Sequence, residues 1–158
     1  MASRKKTKGR TPGGRYIAIP HSVLEHPDYQ ALTGAAVRVL NYMLIQYNGS
    51  NNGDLSIVLH NMKKYGISSS DTLDSAKKQL VRRGLIIETR GGRFINPGGI
   101  CALYAITWQP IDECGGKLEV PATSKPVRTF SIENHHLKKT PCPVSGSKAP
   151  KNGAKDKE

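Results

Sequence analysis

Ala36, Val37, Leu40, Met43, Leu44 and Tyr47 recur at a spacing that places them on one broad face of an α-helix. Thr33 stands where a cap is needed, and Gly49 lies just past the end of the stripe. Arg38, Asn41 and Gln46 fall off its centre, so this helix is expected to form the backbone of the core. Farther along, Leu55, Val58, Leu59 and Met62 predict a short amphipathic helix running into a tight turn at Gly66-Ile67-Ser68. Leu73, Ala76 and Leu80 predict a second helix that stops at Gly84. Two apolar strand candidates follow, residues 85–89 and 102–108. A basic, Gly-rich run, Arg90-Gly91-Gly92-Arg93, begins their connection, and Asn96-Pro97-Gly98-Gly99 keeps it flexible.

Upstream, Arg15-Tyr16-Ile17-Ala18-Ile19 alternates weakly and ends at Pro20, which predicts a short strand. His21 to Leu32 reads as a short helical segment broken at Pro27, with Ser22 as a cap and Val23, Leu24, Tyr29 and Leu32 packing inward. Residues 48–54, rich in Asn and Gly, form a polar loop tolerant of left-handed backbone. Past Trp108, Pro110 and Gly115-Gly116 close the domain. Three regions result: a disordered basic arm over 1–14, a folded domain over 15–117, and a disordered Pro/Ser/Lys-rich tail over 118–158.

The helix–turn–helix–hairpin order is that of a winged helix-turn-helix, an α+β and mainly helical fold with a three-helix core and a β-hairpin wing. Such a unit lays its second helix in the DNA major groove. Ser68-Ser69-Ser70-Asp71 is a good start for that helix, since a serine hydroxyl can accept from a first-turn amide and Asp71 suits the positive helix end. With Leu73, Ala76 and Leu80 facing inward, Asp71, Ser75, Lys78 and Arg82 face outward, flanked by Thr72 and Gln79. Hydroxyl and amide groups there can bond base edges, and the two cations can reach guanine or phosphate. Asp71 and Asp74 act the other way, since carboxylates repel phosphates, and they also suit a protein-facing helix.

Charge sharpens this reading. The chain of 158 residues carries a net charge of +12, of which residues 1–15 hold +6 and residues 121–158 hold +5, leaving +1 for 16–120. Basic arms around a near-neutral core suit a polyanion that can be wrapped, nucleic acid foremost. The expected DNA contacts are therefore Ser69, Ser70, Thr72, Ser75, Lys78, Gln79 and Arg82 on the helix, Arg90 and Arg93 on the wing, and Arg4, Lys5, Lys6, Lys8 and Arg10 in the arm.

A membrane is not the expected polyanion: Ala2 precludes myristoylation, no apolar run follows the basic start, and nothing approaches the roughly 20 apolar residues of a spanning helix. Cys101, Cys114 and Cys142 are odd in number, which predicts reduced thiols and a cytoplasmic chain. No Walker or GxGxxG sequence occurs, and His135-His136 with Cys142 fits no standard zinc spacing, so neither an enzyme, a cofactor nor a metal site is expected. Tyr104 and Trp108 are expected in the hairpin core rather than as a base-stacking platform, and His21, His26 and His60 as structural or solvated.

From Tyr16 to Asp112 the pattern resembles winged-helix proteins of bacterial phages, plasmids and integrated elements. The matching residues are Ile19-Pro20-His21-Ser22-Val23-Leu24, Tyr29, Leu32-Thr33, Asn51-Asn52-Gly53-Asp54-Leu55-Ser56, Ser70-Asp71-Thr72-Leu73, Leu80 with Gly84-Leu85-Ile86, and Tyr104-Ala105-Ile106-Thr107-Trp108. Their order is similar to the N-terminal DNA-binding domains of replication organisers and initiators. The resemblance implies duplex DNA as partner and a role in transcription or replication of a mobile element. A second folded domain, which many initiators carry, is absent from the pattern, so a protein partner would be recruited through the C-terminal tail. The alternative expectation is an adaptor or inhibitor of a host or defence factor on the same fold. The oligomeric state is left open, a dimer included.

Overall fold

A computed structural model describes residues 15–95 and 98–131 of the chain. It is an α+β fold with five α-helices among the described residues and small antiparallel sheets. The helices are α1 (His21–Leu24), α2 (Pro27–Gln30), α3 (Gly34–Gln46), α4 (Leu59–Met62) and α5 (Ser70–Arg82). The strands are β1 (Leu55–Ser56), β2 (Ile86–Arg90), β3 (Arg93–Ile95), β4 (Gly98–Ile100) and β5 (Leu103–Ile106).

The N-terminal residues depart from expectation. Residues 15–20 take no regular structure, and none of the described strands pairs with them. Ser22 lies inside α1, whose N-cap is Pro20. Pro27 starts α2 rather than only breaking a helix: its missing N–H costs nothing in a first turn, and His26 Nδ1 caps that turn by accepting from the Asp28 amide at 3.1 Å.

α3 is the central helix, capped as expected by the Thr33 hydroxyl, which accepts from Ala36 N at 3.3 Å. Its buried face is Ala36, Val39, Leu40, Tyr42, Met43 and Leu44; Val37 and Tyr47, expected in the stripe, lie at its margins instead. α5 packs Leu73, Ala76 and Leu80 against this face, and Val23, Leu55, Met62, Ile67, Leu85, Ile86 and Ile106 complete one core.

Leu55 and Ser56 do not begin a helix. They form β1, paired with Tyr104 and Leu103 of β5, and the helix starts only at Leu59. Gln46, at the end of α3, fixes this strand through its side-chain amide, which donates to Ser56 O at 2.9 Å and accepts from Ser56 N at 3.1 Å. A 3-10 turn over Lys63–Tyr65 then leads to Gly66, whose φ of 80° closes the turn into α5. β5 is the central strand of a sheet ordered β1-β5-β2. Its pairing with β2 slips between Glu88 and Arg90. That bulge turns the Thr89 hydroxyl into the interior, where it donates to Gly53 O at 2.6 Å. The connection between β2 and β5, expected as a loop, holds an antiparallel ribbon of β3 and β4 with Phe94 opposite Gly99.

Asn52 joins the polar loop to the sheet. It is fully buried; its amide Nδ2 donates towards the carbonyls of Ile106, Gln109 and Pro110, and its Oδ1 accepts from Ile106 N at 2.8 Å. Its backbone N–H donates to Asp112 Oδ2 at 2.7 Å.

Packing also runs on past residue 117, the boundary expected from composition. Glu119 N donates to Thr89 O at 2.8 Å, and Thr123 exchanges hydrogen bonds with the backbone of Ile111. Arg128 pairs with Asp28 at 2.7 Å and donates to Arg83 O, while Phe130 packs edge-on to His26 and Trp108. The Arg128 side chain crosses directly over Gly84, where a Cβ would meet its Nη1 at 2.8 Å; the φ of 64° at Gly84 independently favours glycine. Composition misses this strap because its few anchors (Glu119, Thr123, Arg128 and Phe130) are spread through Pro/Ser/Lys-rich sequence. The expected arm contacts Arg4, Lys5, Lys6, Lys8 and Arg10 lie outside the described residues, as do Asn96, Pro97, His135, His136 and Cys142.

Asn52→Ala removes partners from at least two buried backbone groups and should lower unfolding free energy by about 2–4 kcal/mol, measured by urea titration. Burial of Asp28 favours its protonated form, but hydrogen bonds from Arg128 and Arg83 outweigh this and hold its pKa below the ordinary 3.8. A depressed carboxylate pKa contributes stability that is complete above the unfolded value and is lost as pH falls through the folded one. Asp28→Asn should therefore be less stable than the parent near neutrality, and the gap should close as urea titrations are carried below pH 3.8.

Candidate nucleic-acid interface

α5 has a sharp division between faces. Leu73, Ala76 and Leu80 are buried, while Ser69 at the N-cap and Ser70, Asp71, Thr72, Asp74, Ser75, Lys78, Val81 and Arg82 are exposed. The division follows from the i, i+3, i+7 spacing of the three apolar residues, which leaves the opposite side of the helix to solvent. The Ser69 side chain makes no cap hydrogen bond, in contrast to expectation, so it is an exposed hydroxyl beside the helix N-terminus.

Two shallow grooves flank the exposed face. One, of about 530 Å³, lies between α5 and the sheet and is lined by Asp74, Lys77, Lys78, Val81 and Arg82 with Glu88 and Tyr104. The other lies between α5 and the start of α3, with Thr33, Ala35, Asp71, Thr72, Ser75 and Arg82 on its walls. Arg82 borders both. Lys77 pairs with Asp74 at 2.7 Å, and that hydrogen bond holds the Asp74 pKa below its ordinary value. Among the described residues Lys78 and Arg82 form no salt bridge. Burial, with Glu88 and Asp74 nearby, raises the Tyr104 pKa, so its hydroxyl is a neutral donor at physiological pH. The face thus mixes hydroxyls, two free cations and three carboxylates.

Three of the expected contact residues are engaged within the protein. Gln79, expected to read bases, uses both ends of its amide on the α2–α3 junction: Oε1 accepts from Thr33 N at 3.2 Å and Thr33 Oγ1 at 2.9 Å, and Nε2 donates to Ala31 O at 3.3 Å. Its half-buried position, set by the neighbouring Ala76 and Leu80, puts it within reach of α3. Arg90 donates to Cys101 O at 3.0 Å across the base of the ribbon. Arg93 forms a salt bridge with Glu119, whose other carboxylate oxygen accepts from Gly91 N at 3.1 Å. Glu119 belongs to the strap, and no local pattern marks it; its role comes from the bulge at Thr89, which leaves a carbonyl free to anchor residue 119. Ser70, Thr72, Ser75, Lys78 and Arg82 remain exposed along α5, with Ser69 exposed at its N-cap. No helix among the described residues is long and apolar enough to cross a membrane. No protein-family model, curated protein or solved structure matches the chain.

Gln79→Ala should cost about 1 kcal/mol in urea unfolding. In a double-mutant cycle with Thr33→Ala, the two substitutions should couple by about 0.5–1 kcal/mol, because they remove the same hydrogen bond.

Proposed function

We propose that the chain is a winged helix-turn-helix DNA-binding protein that lays α5 in the major groove of duplex DNA. The single observation that carries the reading is the locked orientation of α5: its apolar face is fixed to α3, and Thr72, Ser75, Lys78 and Arg82 are turned outward on one open surface. The element order supports it. α3, β1, α4, the Gly66 turn, α5, β2, a β3–β4 ribbon and β5 follow one another, with β5 between β1 and β2. In this reading α4 and α5 are the helix-turn-helix, the ribbon is the wing, and the basic segments at the chain ends bind further phosphates. The sequence pattern favours regulation of transcription or replication of a mobile element as the role.

A second reading, a protein-binding adaptor or inhibitor, draws on a specific observation. Asp71, Asp74 and Glu88 balance Lys77, Lys78 and Arg82 around α5, Arg90 is tied to the Cys101 carbonyl, and Arg93 is paired with Glu119. A surface of mixed sign suits a protein partner better than it suits phosphates.

The full chain should shift mixed-sequence duplex DNA at low salt. The combined variant Ser75→Ala, Lys78→Ala, Arg82→Ala should bind roughly ten- to a hundredfold more weakly. Its salt dependence should be shallower by about 0.9 in log–log slope for each phosphate the variant no longer neutralises. Unchanged duplex affinity in this variant, measured by fluorescence anisotropy across a salt series, would favour the adaptor reading.

A further inference from the structure

The ribbon presents an aromatic ring where the sequence pattern points to arginines. Phe94 is 89% exposed, more than any other large hydrophobic residue described. Neighbouring residues in a strand point to opposite faces, so Arg93 and Phe94 part company. Arg93 turns to the strap and is held by Glu119, which also binds the Gly91 amide. Phe94 turns the other way, and its partner across the ribbon is Gly99, where no side chain covers the ring. A Cβ at position 99 would lie 3.9 Å from Phe94 Cδ2, so glycine leaves the ring open on its cross-strand side. The ribbon is therefore held at Arg93 by an ion pair and presents the Phe94 ring as an exposed apolar plate backed by glycine.

Its position relative to α5 gives the plate a use. β2 runs back beside α5, since Glu88 shares a groove with Asp74 and Lys78. The strand is about 17 Å long and the helix about 20 Å, so β2 ends, and the ribbon begins after Gly91-Gly92, towards the N-terminal end of α5. A duplex that received α5 in its major groove would bring the adjoining minor groove to the ribbon. A thin, glycine-backed ribbon fits a groove about 6 Å wide, and an apolar side chain entering there can part a base step.

We propose that Phe94 is a wedge that enters the minor groove beside the α5 site and kinks the duplex at a flexible pyrimidine–purine step. This rests on the DNA-binding reading above. It makes bendability of the flanking DNA, rather than arginine contacts from the wing, the ribbon's contribution to site choice.

The test uses the full chain and duplexes of about 30 base pairs, mixed in sequence, rich in TA steps and labelled at the two ends with a fluorescence donor and acceptor. Anisotropy reports binding and energy transfer reports the bend. The parent should bind and raise the transfer. Phe94→Ala should still bind, several-fold more weakly, with most of the rise abolished, and Phe94→Leu should keep much of it because an aliphatic wedge also parts bases. A Phe94→Ala protein that binds and bends like the parent overturns the wedge and leaves the DNA-binding reading standing. A parent that ignores duplexes even at low salt overturns both. Sedimentation of parent and variant without DNA guards the remaining case: loss of a dimer in Phe94→Ala, with the bend unchanged, would assign the ring to a second copy of the chain and overturn the wedge.

Discussion

Leu73, Ala76 and Leu80 hold α5 against the Ala36–Leu44 face of α3, and every other exposed feature takes its direction from that packing. Burying three apolar side chains at i, i+3 and i+7 removes the helix's rotational freedom. It then fixes which residues remain in water. The packing is reinforced towards the C-terminal end of α5 by polar groups that the apolar stripe does not predict. Gln79 reaches across to the cap of α3, and beyond α5 the carbonyls of Arg83 and Gly84 accept from Arg128 and Thr107. Apolar packing chooses the face, and these hydrogen bonds fix the helix along its axis.

The elements readable from the chain are those whose hydrophobic spacing is long and local. α3 and α5, each 13 residues, appear, α3 with its cap at Thr33 and α5 with its stop at Gly84, because those residues carry local signals. β2 and β5 appear because Ile86, Ile87 and residues 103–106 are concentrated apolar runs. β1 does not. Two residues cannot show a period, and Leu55-Ser56 becomes a strand only because β5 is beside it and Gln46 ties down Ser56. Asn52 reads as a turn residue, yet its partners Ile106, Gln109 and Pro110 lie more than fifty positions away. The strap is hidden for the same reason: a salt bridge between Arg128 and Asp28 spans a hundred residues.

The candidate site shows the same boundary. Which side of α5 faces outward is legible, since amphipathic spacing alone decides it. Which of its polar residues are free is not. Gln79, Arg90 and Arg93 look like ligand-seeking groups in the sequence, and each is engaged within the protein, Gln79 and Arg93 by partners distant along the chain and Arg90 by the facing strand connection. The electrostatic picture changes accordingly. Of the two ribbon arginines Arg93 is offset by Glu119, and around the α5 grooves Lys78 and Arg82 are the unpaired cations among the described residues.

The bulge between Glu88 and Arg90 has one more effect. It interrupts the outward row of amides and carbonyls on β2, and the carbonyl at Thr89 is taken by the Glu119 amide. At the opposite margin β1 is only two residues long. A three-stranded sheet with one rim irregular and occupied and the other too brief to template a neighbour offers little to a foreign strand, so misassembly by rim-to-rim stacking is disfavoured even at high protein concentration.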